Sequence, residues 1–334
     1  MIPKNRSHLT QDERCQIFVL LKSGKSLRGI AKLLGRSHTT IVREIQRNAN
    51  ILGRYTVKQA QKRAIKRKYR ANSRPKKMNN QLISMIQSQL NETRASPEQI
   101  SGRLLTKHTI KVSFLTIYRF IAKDKRAGGS LFKMLRHGRK KYRKNINKAA
   151  GRGLIPNRID IDQRPKIVDE KRRTGDFEVD QIIGKDHKGT IVSMVDRATK
   201  FTRLRLLKRG TAQAVSSAII EKLRPLAEIN LVHTITSDNG KEFSMHEHIS
   251  INLLCSFYFA KPYHSWERGL NEHTNGLIRQ HFPKGTDFTK LTDEDVKSVE
   301  WMLNNRPRKS LNFDTPLERM SQSVALMGGG AFRS

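Results

Sequence analysis

Three acidic residues in the second half of the chain have the types and spacing of a metal-binding site. Asp180 lies inside an apolar stretch, where an acid costs free energy unless it has a partner. Asp238 directly follows a second apolar stretch, and Glu272 lies 34 positions beyond Asp238 in a helical pattern. Carboxylate oxygens are the ligands that Mg²⁺ and Mn²⁺ prefer. Such a set can hold two ions ~3.5–4 Å apart for phosphoryl displacement, one activating the attacking oxygen and one stabilising the leaving oxygen.

Each acid also has a purely structural explanation. Asp180 could face solvent from an edge strand, and Asp238 could stabilise the turn before Asn239 and Gly240. Glu272 could be one of several acids on a helix surface. The occurrence of all three in this order favours the metal site, and no single one does.

The chain changes from helical to strand periodicity near position 176, and this determines how the acids are positioned. Predicted strands cover residues 177–183, 190–195, 202–207, 232–236 and 257–260, with helices at 212–226, 245–254 and 266–281. Three strands joined by short turns predict an antiparallel meander. A meander followed by alternating helix and strand predicts an α/β ribonuclease-H-like domain of the retroviral-integrase type. Asp238 then ends a strand at the position where ligands often bind.

Positive charge is concentrated in the first half of the chain. The 334 residues include 66 Lys and Arg against 29 Asp and Glu, a formal net charge of +37. Residues 1–175 hold 44 Lys and Arg and 10 Asp and Glu, a net +34, which leaves +3 for residues 176–334. Such an excess indicates a polyanionic partner, and nucleic acid fits it best.

The composition argues against a membrane or zinc protein. No stretch approaches the ~18 apolar residues of a transmembrane helix. The two cysteines, Cys15 and Cys255, lie too far apart in sequence for a paired zinc site. We therefore expect a cytosolic protein with no membrane partner.

The N-terminal residues predict a helix-turn-helix DNA-binding domain. Thr10 with Glu13 forms a capping box, and Ser26 and Ser37 are further helix caps, so three short helices are expected between positions 9 and 47. A third helix of this kind enters the major groove of DNA. Its outward residues suit base edges and phosphates, and they are His38, Thr39, Thr40, Arg43 and Arg47. A similar pattern at residues 79–124 predicts a second helix-turn-helix-like domain.

Several stretches of the sequence resemble the DDE transposases of bacterial insertion sequences, specifically the insertion sequence 30 family. The resemblance covers nearly the whole chain. It rests most on Gly175-Asp176-Phe177-Glu178-Val179-Asp180, Ser237-Asp238-Asn239-Gly240-Lys241-Glu242-Phe243, Glu267-Arg268-Gly269-Leu270-Asn271-Glu272-His273-Thr274-Asn275-Gly276-Leu277-Ile278-Arg279, Phe282-Pro283-Lys284-Gly285 and Leu303-Asn304-Asn305-Arg306-Pro307-Arg308-Lys309. One departure is that Asp176-Phe177 stands where the family more often has His-Trp.

The resemblance implies a function and a catalytic set. Asp180, Asp238 and Glu272 would be the catalytic, metal-binding triad, with Mg²⁺ or Mn²⁺ as cofactor. The implied reaction is hydrolytic cleavage at the ends of a mobile element, followed by attack of the freed 3′-hydroxyl on target DNA. The implied partners are double-stranded DNA, as terminal inverted repeats and target, and further copies of the chain in a homodimer or higher oligomer.

Four residues near the triad are candidate DNA contacts. Arg268 and Asn275 would lie near Glu272 on one helix face and could hold the scissile phosphate, because they are about one turn before and after it. Lys241 and Arg279 could contact DNA beside the cut. The alternative is that this helix is simply amphipathic and its basic face is solvated.

These observations predict a multidomain protein, with all-α helix-turn-helix domains followed by the ribonuclease-H-like catalytic domain. The expected parts are a DNA-binding domain (1–50), a basic connector (51–78), the second helix-turn-helix-like domain (79–124), a basic linker (125–175), the catalytic domain (176–310) and a C-terminal tail (311–334). Two other functions remain open at this point. One is a DNA-binding regulator with an inactive ribonuclease-H-like half, and the other is a nuclease for RNA–DNA hybrids.

Overall fold

The computed structural model of the protein describes residues 8–50, 52–72, 78–136, 155–261 and 269–327. The chain forms two compact units, residues 1–78 and residues 79–334. Part of the predicted basic linker, residues 137–154, lies outside the described residues. The same is true of one predicted DNA contact, Arg268.

The first unit contains the predicted three helices and a fourth. They are α1 (Gln11–Lys22), α2 (Leu27–Leu33), α3 (His38–Asn48) and α4 (Val57–Asn72). The three predicted caps are confirmed, because the side chains of Thr10, Ser26 and Ser37 accept backbone N–H groups of the helices that follow them. The buried side chains from the four helices form one core, which contains Ile17, Ile30, Ala31, Ile41 and Ala60.

The fourth helix, α4, lies in the stretch predicted as a basic connector and is part of the folded unit. Arg63 donates hydrogen bonds to the carbonyl oxygens of Asn48 (2.9 Å) and Ala49 (2.7 Å) at the C-terminal end of α3. The guanidinium of Arg67 donates to Oδ1 of Asn48 at 2.8 Å. Cations at a helix C-terminus satisfy carbonyls that have no partner within the helix, so these contacts fix α4 against α3.

The second unit begins with three more helices. They are α5 (Asn80–Thr93), α6 (Pro97–His108) and α7 (Phe114–Arg126), which we call the second helical domain. Ser96 caps α6 in a capping box with Gln99, and Pro97 occupies its first position. The buried residues that hold these helices together are Leu82, Ile86, Leu90, Ile100, Leu104, Ile117 and Ile121.

A five-stranded sheet forms the centre of the second unit. After the short helix α8 (Ile167–Glu170), the elements are β1 (Asp176–Ile183), β2 (Thr190–Asp196), β3 (Thr202–Leu207), α9 (Ala212–Ala227), β4 (Thr234–Ser237), α10 (His246–Leu253), β5 (Ser256–Phe259), α11 (Gly269–His281), α12 (Asp293–Asn304) and α13 (Pro316–Leu326). The strand order is β3-β2-β1-β4-β5. The first three strands are antiparallel, and β4 and β5 run parallel to β1. This is the predicted ribonuclease-H-like architecture.

Helices cover both faces of the sheet. Phe177 and Val179 on β1 share a core with residues of α9 and α10. Ile182 on the same strand shares a different core with residues of α11 and α12. The two faces alternate along β1 because successive side chains of a strand point to opposite sides.

The segment after residue 310, predicted as a tail, contains a helix that packs against the sheet. Met320 and Val324 of α13 are buried in the same core as Phe177. The second helical domain also contacts α13, because Arg103 donates to both carboxylate oxygens of Glu318, at 2.8 and 2.6 Å. None of the helices in the described ranges is both long and apolar enough to cross a bilayer.

The Arg103–Glu318 pair predicts a pH dependence of stability. Burial alone would raise the pKa of Glu318, but hydrogen bonds from Arg103 and from the backbone of Thr315 outweigh it and lower the pKa from 4.5 to about 2. A carboxylate whose pKa is depressed on folding stabilises the folded state above its unfolded pKa and stops doing so as the pH falls through its folded pKa. Thermal unfolding should therefore show Glu318→Gln less stable than the wild type above pH 4.5, with the difference disappearing towards pH 2.

The matched control is Glu294→Gln, which removes an exposed acid whose contact is an i,i+3 pair with Lys297. It should change the unfolding temperature little at any pH, since exposed pairs contribute little. A constant difference between Glu318→Gln and wild type over the whole range would contradict the role of the ionised pair.

Candidate active site and DNA interface

The register of two parallel strands places Asp180 beside Asp238. Glu178 of β1 lies opposite Thr236 of β4. Two residues further along each chain are Asp180 and Asp238, at the same level and on the same face if both continue extended. This is the face covered by α11. Neighbouring strands lie ~4.8 Å apart, so this register predicts that the two side chains lie close to each other.

A second contact connects Asp180 with the helix that carries Glu272. Oδ2 of Asp180 accepts a hydrogen bond from the Asn275 side-chain amide at 2.6 Å. Asn275 is three positions after Glu272, and residues at this spacing are neighbours on a helix surface. The Asn275 amide therefore orients the carboxylate of Asp180 from the helix that carries Glu272.

Asp238 lies in a turn whose geometry is fixed by its neighbours. Its Oδ1 accepts the backbone N–H of Gly240 at 3.0 Å. The side chain of Asn239 accepts from Arg158 at 2.5 Å and donates to the carbonyl of Ala260, just past β5, at 2.6 Å. The turn-stabilising contact expected for Asp238 is thus present, and it involves one of its two carboxylate oxygens.

Glu272 differs from the two aspartates because its side chain is exposed. It makes no hydrogen bond or ion pair with any residue in the described ranges. In those ranges no three His, Cys, Asp or Glu side chains are grouped closely enough to hold a metal ion. The strand register thus predicts that Asp180 and Asp238 are neighbours, and Glu272 lies on α11, the helix that bonds to Asp180 through Asn275. Three carboxylates of this kind nevertheless supply the hard oxygen donors that Mg²⁺ and Mn²⁺ require.

A buried ion pair that sequence reasoning missed holds α11 in place. Glu178 is 1% exposed, and its carboxylate lies 3.1 Å from the guanidinium of Arg197, which is also buried. The same carboxylate accepts the backbone N–H of Asn271, in the first turn of α11, at 3.2 Å. Asn271 in turn donates from its side chain to the carbonyl of Val179 at 3.1 Å. Glu178 precedes Asp180 by two positions in an apolar strand, and that spacing on one face was the available signal.

The other predicted contacts near the triad have different environments. Lys241 is exposed in the turn after Asp238, where it is accessible to DNA. Arg279 is partly buried, and it donates to the carbonyl of Ile183 at 2.7 Å and lies over the ring of Phe288. Burial lowers the pKa of Arg279. Its contacts are those of a residue that joins α11 to β1. Arg268 lies outside the described residues.

The predicted recognition residues lie on the outer side of α3. His38, Thr39, Arg43 and Arg47 are exposed and Thr40 is half-buried, whereas the inner side of α3 buries Ile41 and Glu44. Glu44 is paired with Arg14 at 2.7 Å and accepts the hydroxyl of Tyr55 at 3.2 Å. Burial, followed by the charge of Glu44, raises the pKa of Tyr55. Arg43 and Arg47 form no ion pair with a described residue.

The outer side of α3 also borders a groove. It has a volume of about 790 Å³ and lies between α3 and α4, lined by Thr40, Arg43 and Arg47 on one side and Ile65, Arg67 and Lys68 on the other. The acid in its lining, Glu44, is neutralised by Arg14. The groove is therefore positively charged, as expected of a surface that meets a phosphate backbone.

Comparison with known proteins agrees with this arrangement. Residues 5–48 match the family model described as "Helix-turn-helix domain". The transposase for insertion sequence element IS4351 of Bacteroides fragilis is 46% identical over 321 residues, which cover 95% of this chain and 96% of that protein. Transposase InsI for insertion sequence element IS30C of Escherichia coli is 35% identical, over 96% of this chain and 85% of the relative. This chain belongs to the insertion sequence 30 family of transposases.

One solved structure is similar to part of this transposase. The catalytic core domain of BIV integrase aligns with 46% of this chain and 97% of its own length, at 19% identity and a TM-score of 0.37. The ribonuclease-H-like fold of the transposase follows from its own strand order and directions.

The Glu178–Arg197 pair predicts a large effect on stability. Glu178→Gln should lower the free energy of unfolding by about 3–5 kcal/mol, because it leaves Arg197 buried without its main counter-charge. Urea unfolding of the transposase measures this effect. Glu170→Gln is the matched control, because Glu170 is exposed and forms no ion pair with a described residue. Equal stability of the two variants would contradict the structural role of Glu178.

The outward position of two arginines on α3 predicts a loss of sequence discrimination. Arg43→Ala and Arg47→Ala should each reduce the preference for terminal-repeat over random DNA by ~1–3 kcal/mol, the value of a bidentate base contact. Binding measured on both DNAs at one salt concentration tests this. Arg43→Lys and Arg47→Lys are the controls, because they keep the charge but lose the planar fork. Equal losses on both DNAs would reassign these residues to phosphate contacts.

Proposed function

We propose that this transposase cuts the ends of an insertion sequence and joins them to target DNA, with Asp180, Asp238 and Glu272 as its catalytic triad. The observation that supports the proposal most is the register of β1 and β4, which pairs Glu178 with Thr236, two residues before Asp180 and Asp238. The helix of Glu272 covers the corresponding face of the sheet. Sequence similarity to named transposases over nearly the whole chain supports it.

The three carboxylates would hold Mg²⁺ or Mn²⁺, in a site for two ions. The bound ions would supply an activated attacking oxygen and stabilise the leaving oxygen. The sheet fixes the positions of Asp180 and Asp238, and the Asn275 amide orients the Asp180 carboxylate. Glu178 fixes the first turn of α11, and so limits where the Glu272 side chain can reach.

DNA recognition would be divided between the two units. We propose that α3 reads the terminal inverted repeats through His38, Thr39, Thr40, Arg43 and Arg47. Lys241 and Asn275 would contact DNA close to the cut, together with Arg268 and Arg279. Because two element ends must be joined at one target, we also propose a homodimer or higher oligomer on DNA. Its place of action would be the bacterial nucleoid.

Substitution of the triad tests the catalytic assignment. Asp180→Asn, Asp238→Asn and Glu272→Gln should each abolish Mg²⁺-dependent cleavage of terminal-repeat DNA, because a neutral amide is a poor ligand for a hard cation. Binding of the same DNA in Ca²⁺ should be unchanged. Strand cleavage and gel-shift assays on the full chain measure the two properties separately.

The matched control is Glu247→Gln, which neutralises an exposed acid on α10, at the other face of the sheet. It should retain cleavage. Cleavage by Asp238→Asn at the wild-type rate would exclude Asp238 from the triad. Cleavage of RNA–DNA hybrids without dependence on the repeat sequence would instead indicate a ribonuclease.

A further inference from the structure

The second helical domain meets the C-terminal part of the chain through ion pairs. Arg103 is paired with Glu318 at 2.6 Å, and Lys107 with Asp314 at 2.8 Å. In the pair between Lys309 and Glu98, at 2.6 Å, the acid belongs to the second helical domain and the cation to the C-terminal part. Each of these three cations therefore has an acid.

Four arginines near the same contact form a second group of cations. Arg94 ends α5, Arg136 follows the second helical domain, and Arg306 and Arg308 follow α12; we call them the arginine cluster. Arg306 and Arg308 are 5% and 8% exposed. Within the described part of the chain, none of the four forms an ion pair with Asp or Glu.

The hydrogen-bond partners in the arginine cluster are neutral. Arg306 donates to the side-chain oxygens of Gln99 at 2.9 Å and Gln280 at 3.4 Å. Arg308 donates to the carbonyl of Leu303 at 3.1 Å, and its buried Nε has no hydrogen-bond partner among the described residues. No acid in the described ranges therefore pairs with the positive charges of the cluster.

The arginines are also close enough to repel one another. Burial, followed by the charges of Arg136 and Arg94, lowers the pKa of Arg306 to about 10. Burial, followed by the charge of Arg306, lowers the pKa of Arg308 to about 9. Both remain protonated at neutral pH. Buried charges without a counter-charge are rare because they cost free energy, so the arginine cluster favours an anion from outside the chain.

The cluster lies along the helix that carries Glu272. The position that a Cβ would take at Gly276 is 3.1 Å from Nη2 of Arg136, so the lack of a side chain at Gly276 leaves room for this guanidinium. Gly276 is one helical turn beyond Glu272, and Gln280, which contacts Arg306, is a second turn beyond it. At 1.5 Å per residue these positions are ~6 and ~12 Å along the axis from Glu272.

We propose that the arginine cluster binds phosphodiester groups of the DNA strand that leads into the active site. This inference rests on the proposed function. The guanidinium fork matches phosphate oxygens in pairs, and an axial distance of ~6–12 Å corresponds to about two to four nucleotides at 3.4 Å each. The sequence continues from Arg136 with six more Lys or Arg and no acid up to position 150, so the basic character extends along the chain.

The test uses the two less buried members of the cluster, so that folding is retained. Arg94→Gln with Arg136→Gln should weaken binding of the full chain to terminal-repeat DNA in Ca²⁺ by at least tenfold. The slope of log affinity against log salt should become shallower by about 0.9 for each lost phosphate contact. Without DNA, the unfolding temperature should stay the same or rise, because repulsion is removed. A merely structural role would lower it.

The matched control is Arg209→Gln with Arg224→Gln, which removes two exposed positive charges in and before α9, on the opposite face of the sheet. This variant should bind DNA with nearly the wild-type affinity and salt slope. Arg306→Lys, which keeps the charge but not the fork, should bind DNA less tightly than wild type and more tightly than Arg306→Gln.

The outcomes separate this inference from the proposed function. If the wild-type chain neither binds nor cuts terminal-repeat DNA, the proposed function is wrong. If it does both, and the Arg94/Arg136 variant behaves like the Arg209/Arg224 control, the arginine cluster does not bind DNA. If inorganic phosphate raises the unfolding temperature of wild type but not of the Arg94/Arg136 variant, while DNA affinity is unchanged, the site takes a free phosphate and the inference is overturned.

Discussion

The central constraint in the second unit is that β1 is longer than its pairing with β4. The two strands pair only from Asp176 to Glu178 on β1, yet β1 continues to Ile183 and stays paired with β2 throughout. Beyond Glu178, side chains of α11 form hydrogen bonds to β1. Asn271 donates to the carbonyl of Val179, Asn275 to the carboxylate of Asp180, and Arg279 to the carbonyl of Ile183. β4 ends at Ser237, and α11 covers the part of β1 with which β4 does not pair.

The sequence predicts the parts of this arrangement that depend on local patterns. Strand and helix periodicity locates the elements, and an acid within an apolar strand identifies Asp180. It does not reveal contacts between distant residues, such as Glu178 with Arg197 or Arg103 with Glu318. The packing of α13 was missed for a similar reason, because Met320 and Val324 alone give little indication of burial. Arg279 was predicted as a DNA contact beside the cut, and its additional contacts with Ile183 and Phe288 are ones that no local pattern predicts.

The few acidic residues of this chain form ion pairs with particular Lys and Arg side chains. The remaining Lys and Arg side chains are available to an anionic partner. With 29 acids for 66 bases, most Lys and Arg have no acidic counterpart. Buried or interfacial acids are paired where elements must be held together, as Glu44 is with Arg14 and Glu178 with Arg197. In the part of the chain that the structure describes, no acid pairs with Arg43 or Arg47 on the outer side of α3 or with the arginine cluster. The distribution of the charge therefore indicates more than the net charge does, because Lys and Arg side chains without an acidic partner identify the surfaces suited to phosphates.

The difference between the two aspartates and Glu272 has a physical rationale in the proposed site. Three carboxylates at one point would repel one another before a cation arrives. Asp180 and Asp238 are positioned by the sheet, and hydrogen bonds from Asn275 and from the Gly240 backbone offset part of their repulsion. Glu272 is exposed and keeps its rotamer freedom. Ordering one Glu side chain costs about 1.5–2 kcal/mol. This cost is lower than that of ordering three mobile acidic side chains. Two fixed ligands and one adjustable ligand thus reduce both the repulsion before cation binding and the entropy lost on binding.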